Sequence, residues 1–183
     1  MKKIICFCLF LLSSLGFAQV AEPAVSFPKN EFKGNALFLV LGAPEFTYER
    51  LLNDESGIGI SVNFALENDF ETRFSLTPYY RFYFGQKPAA GFFVEGFTML
   101  NVIDIDESYY YNGTDPVVSG YYNSESYADV AIGIGLGSKW ITKRGILFEL
   151  SGGIGRNLLN SEKNDYLGHT FVGRFGITLG YRF

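Results

Sequence analysis

The 183-residue chain carries 15 Lys and Arg against 19 Asp and Glu, a net charge of −4, which argues against nucleic acid as a partner, because phosphate binding wants a basic patch. Its 19 Phe, 12 Tyr and 21 Gly, with few helix-favouring runs, point to β structure, where aromatic and β-branched side chains fit a pleated surface. No stretch reaches the length of a membrane-spanning helix.

The first residues, MKKIICFCLFLLSSLGFAQ, place Lys2 and Lys3 before an apolar core from Ile4 to Leu12, then small Gly16 and Ala18 before Gln19. This is the pattern of a secretory signal peptide over 1–18; its apolar run is about half the ~18 residues of a membrane anchor. Cleavage removes Lys2 and Lys3 and takes the net charge from −4 to −6. It also removes Cys6 and Cys8, neither of which follows a small-residue site as a lipid-attached cysteine would. Disulfide, thiol and cysteine-ligated metal chemistry are then excluded together. About 165 residues remain, one domain by length. Residues 19–32 hold Pro23 and Pro28 and read as a periplasmic leader without structure of its own.

Beyond it, apolar residues recur with a period of two, the strand pattern. Strands are expected at roughly 33–42, 45–52, 57–67, 72–84, 91–103, 126–141, 146–157 and 169–183. In the third, Ile58, Ile60, Val62, Phe64 and Leu66 oppose Gly59, Ser61, Asn63 and Ala65; in the fourth, Phe74, Leu76, Tyr80, Phe82 and Phe84 oppose Arg73, Ser75, Thr77, Arg81 and Tyr83. The sixth sets Val130, Ile132, Ile134, Leu136 and Trp140 against Asp129, Gly133, Gly135, Gly137 and Lys139; the seventh sets Ile146, Phe148, Leu150 and Ile154 against Glu149, Ser151, Gly153 and Gly155. The last sets Phe171, Phe175, Ile177, Leu179, Tyr181 and Phe183 against Thr170, Arg174, Gly176, Thr178, Gly180 and Arg182. Gly42 to Pro44 is either a tight outer turn or a bulge within one long strand. Connections at 53–56, 85–91 and 142–145 are short and rich in turn formers, whereas 104–126 and 159–168 are long. Short turns at one end and long loops at the other, with an even strand count, are the asymmetry of an outer-membrane barrel.

A soluble sandwich also alternates, but its polar face carries long charged side chains rather than rows of glycine. Small residues with a few charges suit the interior of a narrow closed sheet, where bulky ones are not expected to fit. The predicted fold is therefore all-β: an eight-stranded antiparallel transmembrane β-barrel, an up-and-down meander, over 33–183. Glu45, Glu49, Glu95, Asp129 and Glu149 are placed on the inward face with Arg73, Arg81, Lys139, Arg174 and Arg182. A network of paired carboxylates and cations is expected in the periplasmic half of the lumen, because a lone buried charge costs several kcal/mol. An ion-conducting pore is the less favoured reading, since so small an interior is usually filled.

The chain as a whole resembles small eight-stranded outer-membrane barrels of the OmpA/OmpX type. NALFLVLGAPEFTYERLL, SGIGISVNF and GITLGYRF further resemble a family of uncharacterised barrels common in Bacteroidetes, whose members bring no established activity. The resemblance implies that Phe175, Ile177, Leu179, Tyr181 and Phe183 form a signal read by the barrel assembly machinery.

His169 is the one histidine. Some eight-stranded barrels use a His with a Ser to cut acyl chains from lipid A, so His169 with Ser161 or Glu162 is weighed as an enzyme site. Nothing in the sequence brings base and nucleophile within reach, and a His followed closely by Ser and Asn is absent, so a rim histidine is favoured. Asp104, Asp106, Glu107 and Asp115 lack the spacing of a calcium loop; they solvate a loop or meet divalent cations bridging lipopolysaccharide. GIGLG and GGIGR lie within strands and are not nucleotide loops. Tyr109, Tyr110, Tyr111, Tyr121, Tyr122 and Tyr127 cluster at the longest loop, as an outer aromatic belt or as a contact surface for an extracellular protein or glycan. The expectation is a monomeric, non-enzymatic barrel of the bacterial outer membrane without a cofactor, in contact with lipid and lipopolysaccharide, serving a structural or surface-interaction role. A lipid A-modifying enzyme and a small-solute channel are the alternatives.

Overall fold

A computed structural model describes residues 27–66, 70–107, 123–160 and 169–183. The expected signal peptide, Ser161, Glu162 and the tyrosines Tyr109, Tyr110, Tyr111, Tyr121 and Tyr122 lie outside them. Eight antiparallel strands form one closed barrel in sequence order: β1 (Asn30–Asn35), β2 (Glu45–Leu51), β3 (Ser56–Phe64), β4 (Thr72–Tyr83), β5 (Gly91–Glu107), β6 (Asn123–Ile141), β7 (Ile146–Asn157) and β8 (Phe171–Arg182). Closure runs between β1 and β8, with Glu31 opposite Arg182, Phe32 opposite Tyr181 and Asn35 opposite Thr178.

Four details differ from the sequence expectation. The barrel begins at Asn30, within the stretch assigned to the leader, and Phe27 packs against the base of its core. The expected first strand to residue 42 stops at Asn35, because Asn35 caps a one-turn helix, α1 (Ala36–Val40), by accepting from the Phe38 N–H at 3.4 Å. The helix ends in a Schellman turn: Gly42 has φ +82°, its N–H donates to the Leu39 carbonyl at 3.4 Å, and the Ala43 N–H donates to Phe38 at 2.9 Å. Residues 42–44 are thus a turn, not a bulge. A bulge sits instead in β4, between Thr72 and Phe74. Finally, β5 and β6 run on to Glu107 and Asn123, which leaves 108–122 as their connection.

The outer wall is apolar, with Ile134 72% and Phe171 64% exposed, and the inner wall is charged. Near the short-turn end Phe84 packs on Phe82 and on Phe92 on the outside, and Trp140 lies on Phe148. Two neighbouring rows of outward side chains cross the wall. One follows the register from Ile58 through Tyr80, Gly96 and Ile134 to Ile154, and the other includes Thr98, Ile132, Arg156 and Phe171. Between them lies an open groove of about 740 Å³.

Bulky residues do enter the lumen, contrary to expectation. Tyr79, Tyr83, Phe93 and Phe97 are buried inside, and the facing glycines make room for them. A Cβ on Gly59 would stand 2.3 Å from the Tyr79 ring, one on Gly133 2.3 Å from Phe97, and one on Gly137 2.5 Å from Phe93. Gly59 of β3 and Gly133 and Gly137 of β6 are sockets for aromatic rings of β4 and β5.

Candidate functional site

Strand alternation brings five carboxylates and five cations into one cluster inside the barrel: Glu31, Glu45, Glu49, Glu95 and Glu149 with Lys33, Arg81, Lys139, Arg174 and Arg182. Glu49, fully buried, is the hub. It pairs with Lys33, with Arg81 at 3.4 Å and with Lys139 at 3.5 Å, and accepts from the hydroxyls of Tyr79 at 3.0 Å and of Tyr83. Glu149 takes Arg81 at 2.7 Å and Lys33 at 3.1 Å; Glu31 takes Lys139 and Arg182, each at 2.7 Å. Glu95 lies between Arg81, at 2.6 Å, and Arg174, which reaches on to Glu45 at 3.6 Å. The Arg81 guanidinium also stacks on Phe93 at 4.1 Å and on Tyr79 at 4.5 Å. Equal numbers of opposite charges share hydrogen bonds throughout, which is how ions are kept in a low-dielectric interior.

Of the residues placed here from sequence, Glu45, Glu49, Arg81, Glu95, Lys139, Glu149, Arg174 and Arg182 lie in this cluster. Two do not. The β4 bulge displaces Arg73 to the rim, where its Nε donates to Asp104 at 2.6 Å. Asp129 stands above the cluster and holds the start of the β7–β8 connection, accepting from the backbone N–H groups of Leu158, Leu159 and Asn160 at 3.2, 2.9 and 3.1 Å. Glu31 and Lys33 were missed although they alternate with Phe32 and Gly34; the signal was there, overshadowed by Pro28 just upstream. Tyr79 and Tyr83, also missed, supply the hydroxyls that complete Glu49.

Below the network the barrel is stoppered. Leu51, Tyr83, Ala89 and Phe93 form a buried apolar cluster with Phe27 against it. The 84–90 turn folds under the end, where the Pro88 and Ala89 carbonyls each accept from Arg182 at 2.7 Å. Beside Arg81 and Glu149 remains a void of about 10 Å³, at the lower bound for one water.

Above the network the lumen opens into a cup of about 310 Å³, lined by Phe38, Glu45, Asn101, Asn157, His169 and Arg174 among others. Asn101 donates to Asn157 at 3.2 Å, and its buried Oδ1 has no partner among the described residues. At the mouth the His169 ring is held from both sides, Nδ1 by the Tyr127 hydroxyl at 3.0 Å and Nε2 by Glu71 at 2.9 Å.

No protein-family model and no curated protein sequence matches the chain. Among solved structures, it is similar to the N-terminal β-barrel domain of Pseudomonas aeruginosa OprF, at 14% identity and a TM-score of 0.58, over 85% of this chain and 96% of that one. The likeness is one of fold: both are small closed β-barrels.

Proposed function

We propose that this chain is a non-enzymatic barrel of the bacterial outer membrane, a rigid stem that holds its long outer connections for a structural or surface-interaction role. The observation that carries the reading is the inverted polarity of the wall. Large apolar side chains stand exposed around the outside while Glu31, Glu49 and Asp129 are fully buried within. Such a wall is stable only in apolar surroundings, and a closed sheet is the form in which strands satisfy their backbone there. The stoppered lumen weighs against a small-solute channel. The doubly held ring of His169 weighs against a lipid A-cleaving enzyme.

On this reading the outward row Phe175, Ile177, Leu179, Tyr181 and Phe183 meets lipid and the assembly machinery. Tyr109, Tyr110, Tyr111, Tyr121 and Tyr122 are offered to an extracellular protein or glycan, and the barrel works as a monomer. The finer likeness to the uncharacterised Bacteroidetes barrels belongs to the same proposal, on residues 35–52, 56–64 and 176–183.

Membrane fractionation with a heat-modifiable gel shift is the direct test: the protein is expected in the outer membrane, and a freely soluble product overturns the reading. Deleting 108–122 should lower adhesion or envelope integrity while the gel shift persists. A His169→Ala variant that changed lipid A composition in the host would instead favour the enzyme.

A further inference from the structure

We propose that the groove on the outer wall is a binding site for one phosphate-bearing lipid, with its phosphate on Arg156 and an acyl chain along the groove. The assignment rests on the outer-membrane reading and adds to it a defined site. Arg156 lies one residue from the long-loop end of β7 and points outward, between Ile132 and Phe171 of the adjoining strands. Its guanidinium forms no ion pair or hydrogen bond with any described residue, unlike the five cations of the lumen. A guanidinium at that height meets the headgroup region, where a phosphate is its natural bidentate partner.

The groove leads away from this cation across four strand spacings, from β7 to β3, a length of about 19 Å. It ends at Ile58 and Tyr80, which lie close to the short-turn ends of β3 and β4. Its floor is lowered at Gly96, where nothing lies within 4 Å of the position a Cβ would take. A cation at the outer rim and an apolar trough descending from it match an anionic headgroup joined to a hydrocarbon chain. A protein helix would find no counterpart for Arg156 in an apolar segment, and a second copy would set Arg156 against the same uncharged wall.

The open space at Gly96 gives a clean test, because nothing lies within 4 Å of an added Cβ there and the side chain of Gly96→Leu would extend into the groove. Wild-type barrel, Arg156→Gln, Arg156→Lys and Gly96→Leu are compared by native mass spectrometry in mild detergent. The probes are diphosphoryl lipid A and phosphatidylglycerol, with phosphatidylcholine and inorganic phosphate as controls. Wild type should retain one anionic lipid at least ten-fold more tightly than phosphatidylcholine, and inorganic phosphate should not compete. Arg156→Gln and Gly96→Leu should each lose that preference or retention, and Arg156→Lys should recover part of it. Retention unchanged in both Arg156→Gln and Gly96→Leu, competition by inorganic phosphate, or a dimer in place of the lipid adduct each overturns the proposal. The heat-modifiable gel shift separates the two readings: a wild type that never enters a bilayer fails the outer-membrane reading, whereas a folded barrel indifferent to both substitutions fails the lipid site alone.

Discussion

At the scale of single residues the interior is decided by Glu49 and by the glycines. Glu49 compensates Lys33, Arg81 and Lys139 while accepting from two tyrosines. Glu49→Ala leaves three cations short of one carboxylate, and breaking a buried pair in this way costs about 3–5 kcal/mol. Urea unfolding of the barrel refolded in lipid vesicles should show a loss of that size. Gly59 makes a different demand, since the nearest atoms a Cβ there would meet all belong to the Tyr79 side chain, at 2.3 to 2.8 Å. Gly59→Ala should cost about 1–3 kcal/mol by overpacking. In the double variant with Tyr79→Leu the losses should fall short of additivity, because the obstructing ring is gone; additive losses would mean that the glycine serves something other than the ring.

At the scale of elements, the alternation that predicts β3, β6, β7 and β8 is a local property, and it was legible because one-residue errors of facing would move whole rows of charge into the wall. The interruptions were harder. Asn35, Gly42 and Pro44 together spell a capped and terminated helix, but the apolar run between them also fits a strand, and only the need of β1 to turn back onto β2 selects the helix. Gly42, at φ +82°, carries the turn. Gly42→Ala should therefore cost about 1–2 kcal/mol, the left-handed penalty of a residue with a Cβ, read from the same urea midpoints. The β4 bulge had no sequence mark at all, because an extra residue is defined against its partner strand. Arg73 was misplaced for that reason alone. The aromatic rings in the lumen were misjudged for a related one: the sockets that admit them lie on the neighbouring strand, and register has to be known before ring and glycine can be matched.

At the scale of the whole molecule, the charged interior is shielded from solvent while the rim pair Arg73 and Asp104 is partly exposed. Ionic strength should reach only the latter. Raising salt from ~0.05 to ~0.5 M should leave the urea midpoint nearly unchanged, and a large fall would mean that ions penetrate the network. The stopper of Leu51, Tyr83, Ala89 and Phe93 makes the corresponding electrical statement: planar bilayers containing the protein should show no steady single-channel steps. The distribution of the network over the strands reaches further, into how the barrel comes together. The β1–β2 hairpin contributes Glu31, Lys33, Glu45 and Glu49, an excess of two negative charges, while β3–β4 brings Arg81 and β7–β8 brings Glu149, Arg174 and Arg182, each an excess of one positive. Only β5–β6, with Glu95 and Lys139, is neutral alone. No open sheet lacking its first or last hairpin balances the charges of this network, so its neutrality is a property of the closed ring alone: the seam that sets Glu31 opposite Arg182 joins the most negative hairpin to a positive one.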